Sequence, residues 1–131
     1  MKAFVQIIGD YRSCRVLALG WMAMIFWLSS LPDIPGPDLF SAQDKLEHLL
    51  VFGVLGFLFA RSLGPRREKL WQWQVAVVTL MVAVYGAVDE IHQSFVIGRD
   101  ASLSDFLFDT LGGFIFALLS YRSVLFSRKR P

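Results

Sequence analysis

Eleven of the thirteen Lys and Arg residues fall in three clusters that alternate with four apolar stretches. The clusters are Lys2, Arg12 and Arg15; then Arg61, Arg66, Arg67 and Lys69; then Arg122, Arg128, Lys129 and Arg130. Cytoplasmic segments of membrane proteins carry an excess of basic residues, so this spacing predicts that both termini and the middle loop face the cytoplasm. The expected fold is all-α: a polytopic membrane protein of four transmembrane helices packed as a small bundle, with residues 1–131 as one domain. Apolar residues make up 55% of the chain and aromatics 15%, more than an ordinary soluble domain of this length carries. The net charge of +2 then reads as topology and argues for no nucleic-acid partner, while the basic loops suit anionic lipid head groups.

The expected spans are residues 14–31, 44–63, 70–92 and 103–126. Pro32, Pro35, Gly36 and Pro37 cannot continue a helix and end the first. Its basic start resembles a signal peptide, yet no small-x-small cleavage site follows and the run is long, so an uncleaved span is expected. Ser41-Ala42-Gln43-Asp44 has the form of a capping box and predicts a second helix starting near Ser41. Residues 44–63 make about 30 Å of helix, enough for the hydrocarbon core, and Arg61 can snorkel to the interface. Trp71 and Trp73 suit the membrane interface at the start of the third span. A second capping box, Ser102-Leu103-Ser104-Asp105, opens the fourth. The single Cys14 permits no internal disulfide and reads as a small packing residue.

Nine of the eleven acidic residues lie in or beside the two connections that lack basic clusters. Lys45 and Arg99, the two remaining cations, sit among them. In the predicted topology three polar helix ends meet at one membrane depth. Within each, the polar residues share a helical face: Asp44 with His48, Asp89 with His92 and Gln93, Asp105 with Asp109. Charges near the hydrocarbon boundary are costly and turn inward to pair, and His48 and Asp109 are the deepest members. Such a group can bind a cation, hold protons or do acid/base work. Structural roles compete: Asp44 and Asp105 fit capping boxes, Glu47 fits a solvated position, Lys45 and Arg99 fit head-group anchors, and Gly98 fits a turn.

These residues carry a resemblance to a known family. Asp44-Lys45-Leu46-Glu47-His48, followed by Phe52-Gly53-Val54-Leu55-Gly56, resembles the D-K-x-x-H signature of VanZ-like membrane proteins. The stretch from Tyr85 to Phe95, with Glu90 and Gln93, then Gly98-Arg99 and Ser102 to Asp105, resembles the family's second signature, E-x-x-Q followed by G-R and S-x-x-D. Trp27-Leu28-Ser29-Ser30 is similar to the ending of the family's first span. Where many members carry Asn four residues after the S-x-x-D aspartate, this chain has Asp109, which adds charge or must hold a proton. The resemblance implies a bacterial envelope protein related to cell-wall precursors or to susceptibility to the glycopeptide teicoplanin.

Three functional readings follow. In the first, an outward-facing site recognises a head group on a lipid-linked envelope precursor: Lys45 and Arg99 contact phosphate or carboxylate, and Asp44, Asp89, Gln93, Asp105 and Asp109 hydrogen-bond sugar or amide groups. In the second, the chain is a hydrolase or transferase in which Glu90 or His92 acts as general base, His48 as acid and Arg99 as charge stabiliser. A weaker variant has His48, His92, Glu90 and Asp105 hold a divalent ion, but no recognised ligand spacing is present and the preferred reading assigns no metal. In the third, the polar cluster only fixes helix register in a structural or regulatory subunit.

Overall fold

The computed structural model describes residues 10–32, 43–64 and 70–128, with side chains as far as Arg122 in the last helix. The described residues form four helices and no strand: α1 (Tyr11–Ser29), α2 (Gln43–Ser62), α3 (Trp71–Gln93) and α4 (Leu103–Arg128).

Local chemistry sets the ends. α1 begins ahead of its apolar run because the Asp10 carboxylate accepts from the backbone N–H groups of Arg12 and Ser13. It ends where the Ser30 hydroxyl donates back to the Phe26 carbonyl, 2.7 Å away, just before Pro32. The predicted capping serine of α2, Ser41, lies outside the described residues. At α4 the capping box is half formed. Ser102 Oγ accepts from the Asp105 N–H at 3.4 Å, but the Ser102 N–H donates to Glu90 Oε2 on α3 at 2.6 Å. Glu90 thus supplies the arm that Asp105 would give in a self-contained box, and Asp105 is released to pair elsewhere.

α2 and α4 form the most intimate helix pair, followed by α3 with α4. Their closeness depends on glycine. A Cβ at Gly56 would lie 2.5 Å from the Gly113 carbonyl oxygen, and one at Gly112 would run into the carbonyl of Leu49. Backbones pressed this near maximise van der Waals contact, the main attraction between helices in lipid. The core beside this seam is formed by Phe52, Leu55, Val78, Val82, Ala117 and Tyr121, and Cys14 is fully buried. Between α3 and α4 the chain turns at Gly98, whose φ of +85° is a left-handed conformation that suits glycine.

Large apolar side chains also face outward: Leu19 is 67% exposed, Leu80 65% and Leu103 76%. α3 and the Leu103–Arg122 part of α4 are long and apolar enough to cross a membrane. α1 and α2 fall short of that measure, because α1 begins with Arg12 and Arg15 and α2 begins with Asp44, Lys45, Glu47 and His48. The all-helical, four-helix expectation therefore holds, while the apolarity of a complete span is present in two of the four helices.

Candidate functional site

The polar residues of α2, α3 and α4 converge because their spacing keeps each set on an inward face. At the deepest level His48 Nδ1 is hydrogen-bonded to Asp109 Oδ1 at 2.9 Å. Asp109 is fully buried and Glu90 is 7% exposed. One donor atom from each of His48, Glu90 and Asp109 lies within 4.8 Å of the other two. The floor below is apolar: the Phe52 ring lies nearly parallel to the His48 ring, 6.3 Å between centroids. Gly86 makes room at the side, since a Cβ there would be 3.1 Å from Asp109 Oδ2.

Above this level Lys45 Nζ donates to Asp105 Oδ1 at 2.6 Å and to Asp44 Oδ2 at 2.8 Å. The ammonium is held by two carboxylates from two helices, one of them mostly buried. Lys45 therefore ties α2 to α4, which limits it as the phosphate contact expected from sequence.

A cavity of about 360 Å³ opens beside the cluster, between α1, α2 and α3. Asp44, Glu47, His48, Asp89, Gln93 and Arg99 supply its polar wall, and Ile25, Leu28, Val51 and Phe52 its apolar one. The wall is internally ordered. Gln93 Nε2 donates to Asp89 Oδ2 at 2.9 Å and reaches Ser29 Oγ at 3.5 Å. Arg99 Nε donates to the Leu31 carbonyl at 3.1 Å and an Arg99 terminal nitrogen to the Leu28 carbonyl at 3.4 Å. The Leu28 carbonyl also accepts from the Leu31 N–H at 3.1 Å, and both carbonyls lie at the C-terminal end of the helix, where acceptors outnumber intrahelical donors, so Arg99 fastens α1 while also lining the cavity.

Not every expected member joins this group. His92 turns toward the end of α1: its Nε2 is 3.0 Å from Ser30 Oγ, and its ring stacks on Phe26 with centroids 4.4 Å apart. It does not line the cavity. Of the acid/base trio His48, Glu90 and His92, the first two come together and the third is replaced by Asp109. Of the binding set, Asp44, Asp89, Gln93 and Arg99 line the cavity, Lys45 and Asp105 form the tie above the buried cluster, and Asp109 lies within the cluster. Glu47, read from sequence as solvated, is exposed at the wall and accepts from Gln43 Nε2 at 2.9 Å.

Sequence reasoning missed the contribution of α1. Ile25, Leu28 and Ser29 close one side of the cavity, and two aromatic side chains lock this helix in place. Trp21 Nε1 donates to the Val51 carbonyl at 2.9 Å, and Tyr85 Oη donates to the Met22 carbonyl at 2.6 Å. The available signal was the dipeptide Ser29-Ser30, polar and directly ahead of the proline break.

Residues 11–126 match the VanZ/LLP1 family model. No curated protein matches the chain. No solved structure does either.

Proposed function

The chain belongs to the VanZ/LLP1 family, and on that premise we propose that it is a multi-pass protein of a bacterial cytoplasmic membrane, with both termini inside and an outward-facing cavity that recognises the head group of a lipid-linked envelope component. The observation that carries this reading is the two-sided wall of the cavity. Carboxylates and the Gln93 amide suit sugar hydroxyls and amides, the Arg99 guanidinium suits phosphate, and the apolar wall suits the first methylenes of a lipid tail. The two helices apolar enough to span and the exposed apolar side chains along all four support a membrane setting. An effect on teicoplanin susceptibility is the physiological form such recognition would take in this family.

The hydrolase reading has less support. His92 is engaged by Ser30 and Phe26, and Glu90 Oε2 is engaged by the Ser102 N–H. One experiment separates the readings. Purified protein incubated with extracted envelope lipids is expected to retain an unaltered lipid, identified by mass spectrometry. Asp44→Ala with Glu47→Ala removes two exposed wall carboxylates, each worth about 1 kcal/mol as a hydrogen-bond acceptor, and should weaken retention about tenfold or more. A chemically altered lipid formed only by the native chain would favour the enzyme. Retention equal in native and variant would overturn recognition by this wall.

Topology has its own test. In a Cys14→Ala background, a cysteine replacing Ile97, which is 89% exposed between α3 and α4, should react with a membrane-impermeant maleimide in intact spheroplasts. One replacing Leu63, after α2, should react only after permeabilisation. The reverse pattern would turn the cavity to the cytoplasm.

A further inference from the structure

Beside the cavity, two carboxylates and an imidazole are gathered in a space lined by Phe52, Gly86 and the α2–α4 seam. Fixed acids rarely share a low-dielectric site without a compensating cation, because an isolated buried carboxylate is strongly disfavoured. Among the described residues neither Lys45, held by Asp44 and Asp105, nor Arg99, which lines the cavity beside the end of α1, forms an ion pair with Glu90 or Asp109.

We propose that His48, Glu90 and Asp109 form a three-ligand site for a divalent first-row transition cation, zinc above all. The acid cluster alone would not carry this. The second observation is that Glu90 Oε1 and Asp109 Oδ2 are both buried and have no hydrogen-bond partner among the described residues, in side chains that are 7% and 0% exposed. A buried polar atom without a partner costs about 1–3 kcal/mol, more if charged, and two of them come from residues that also meet His48. Asp109 Oδ2 turns toward Gly86, which lies one turn before Glu90 on the same face of α3.

The donor set and spacing fit zinc. One imidazole and two carboxylates are N/O ligands it accepts, and since copper(II) outranks zinc in raw affinity, it is the compact three-ligand geometry with an open position that favours zinc here. Ligands bonded at about 2.1 Å in a tetrahedron stand about 3.4 Å apart. His48 Nδ1 lies 2.9 Å from Asp109 Oδ1, so the imidazole and the carboxylate that carries the unpartnered Oδ2 already stand within ligand range of one another. The donors of all three residues lie within 4.8 Å of one another, and side-chain rotations that draw the widest pair in by up to about 1.4 Å bring the three to tetrahedral spacing. Glu90 Oε2 can keep its hydrogen bond to Ser102 while Oε1 binds the ion. Three protein ligands leave a fourth position for water or an incoming oxygen. Asp109 explains why this chain can do this: an Asn at the same place brings a neutral amide, a much poorer ligand.

The test is zinc binding by the full-length protein in detergent after stripping with a chelator. Competition against a chromophoric chelator should give about one zinc per chain, and cobalt(II) should show the visible absorption of a tetrahedral N/O site. Asp109→Asn preserves shape and one hydrogen-bonding oxygen, and should weaken zinc at least about 100-fold, the upper range for loss of even an outer-shell partner. Glu90→Gln keeps an acceptor for the Ser102 N–H and should do the same. Asp100→Asn, exposed and outside the cluster, should bind as the native chain does. Zinc stoichiometry far below one in the native chain, or equal affinity in native and Asp109→Asn, would overturn the site and leave protons as the occupants of these oxygens. The native measurement and Asp109→Asn decide the matter even if Glu90→Gln does not fold.

Discussion

A single methyl group added at position 112 is expected to destabilise the protein by about 3 kcal/mol, the upper end of the overpacking range, while the same group at position 20 should be neutral or stabilising. In Gly112→Ala the new Cβ meets the Leu49 carbonyl, and in Gly56→Ala it meets the backbone of Gly113 at 2.5 Å. Both obstacles are backbone, so no side chain can rotate away and α2 and α4 must part along their length. Gly20 on α1 has nothing within 4 Å of the same position, and alanine there removes the entropic cost of a helical glycine, about 0.5–1 kcal/mol. Thermal unfolding of the three variants in one detergent checks the contrast. If Gly112→Ala melts with the native chain, the close approach of α2 and α4 is wrong. Parting those helices also separates His48 from Asp109, so the destabilised variants should lose zinc as well.

The sequence made most of the helical architecture legible through the alternation of basic clusters with apolar runs, because helix length and amphipathic spacing are local properties. The faces were legible for the same reason: residues three or four apart stay neighbours on a helix, which brought Asp44 near His48 and Asp105 near Asp109 before any packing was known. Partnership across helices was harder to read. Asp105 has the form of a cap, but whether it caps or pairs depends on Glu90, which belongs to another helix and arrives at the Ser102 N–H from outside. His92 and Glu90 are two residues apart and so point in different directions around α3. The helical rotation that aims Glu90 at α4 carries His92 toward α1, a consequence hidden until the order of helices around the bundle is fixed. Polarity at one end of a span has a similar ambiguity. The residues that build the cluster at the start of α2 are those that lower its apolarity, so site formation and span recognition pull against each other on the same turn.

Lys45 is where a structural and a ligand-binding role can be separated, with an expected effect of about 2–3 kcal/mol on stability. Its ammonium lies between Asp44 and Asp105, with side-chain exposures of 28% for Lys45 and 13% for Asp105. Breaking a fully buried ion pair from one side costs about 3–5 kcal/mol because a charge is left alone, and partial solvent access at Lys45 reduces that here. Lys45→Met should therefore destabilise, whereas Lys45→Met combined with Asp105→Asn should recover most of the loss, since the orphaned charge is gone. Asp105→Asn alone leaves Lys45 with Asp44 and should cost less. Unfolding measured for the four proteins gives a coupling energy, expected to be about 1 kcal/mol or more for residues in direct contact. A Lys45→Met protein as stable as the native chain but unable to retain lipid would instead assign the ammonium to the ligand. The carboxylate pair around it would then be an arrangement that the head group displaces on binding.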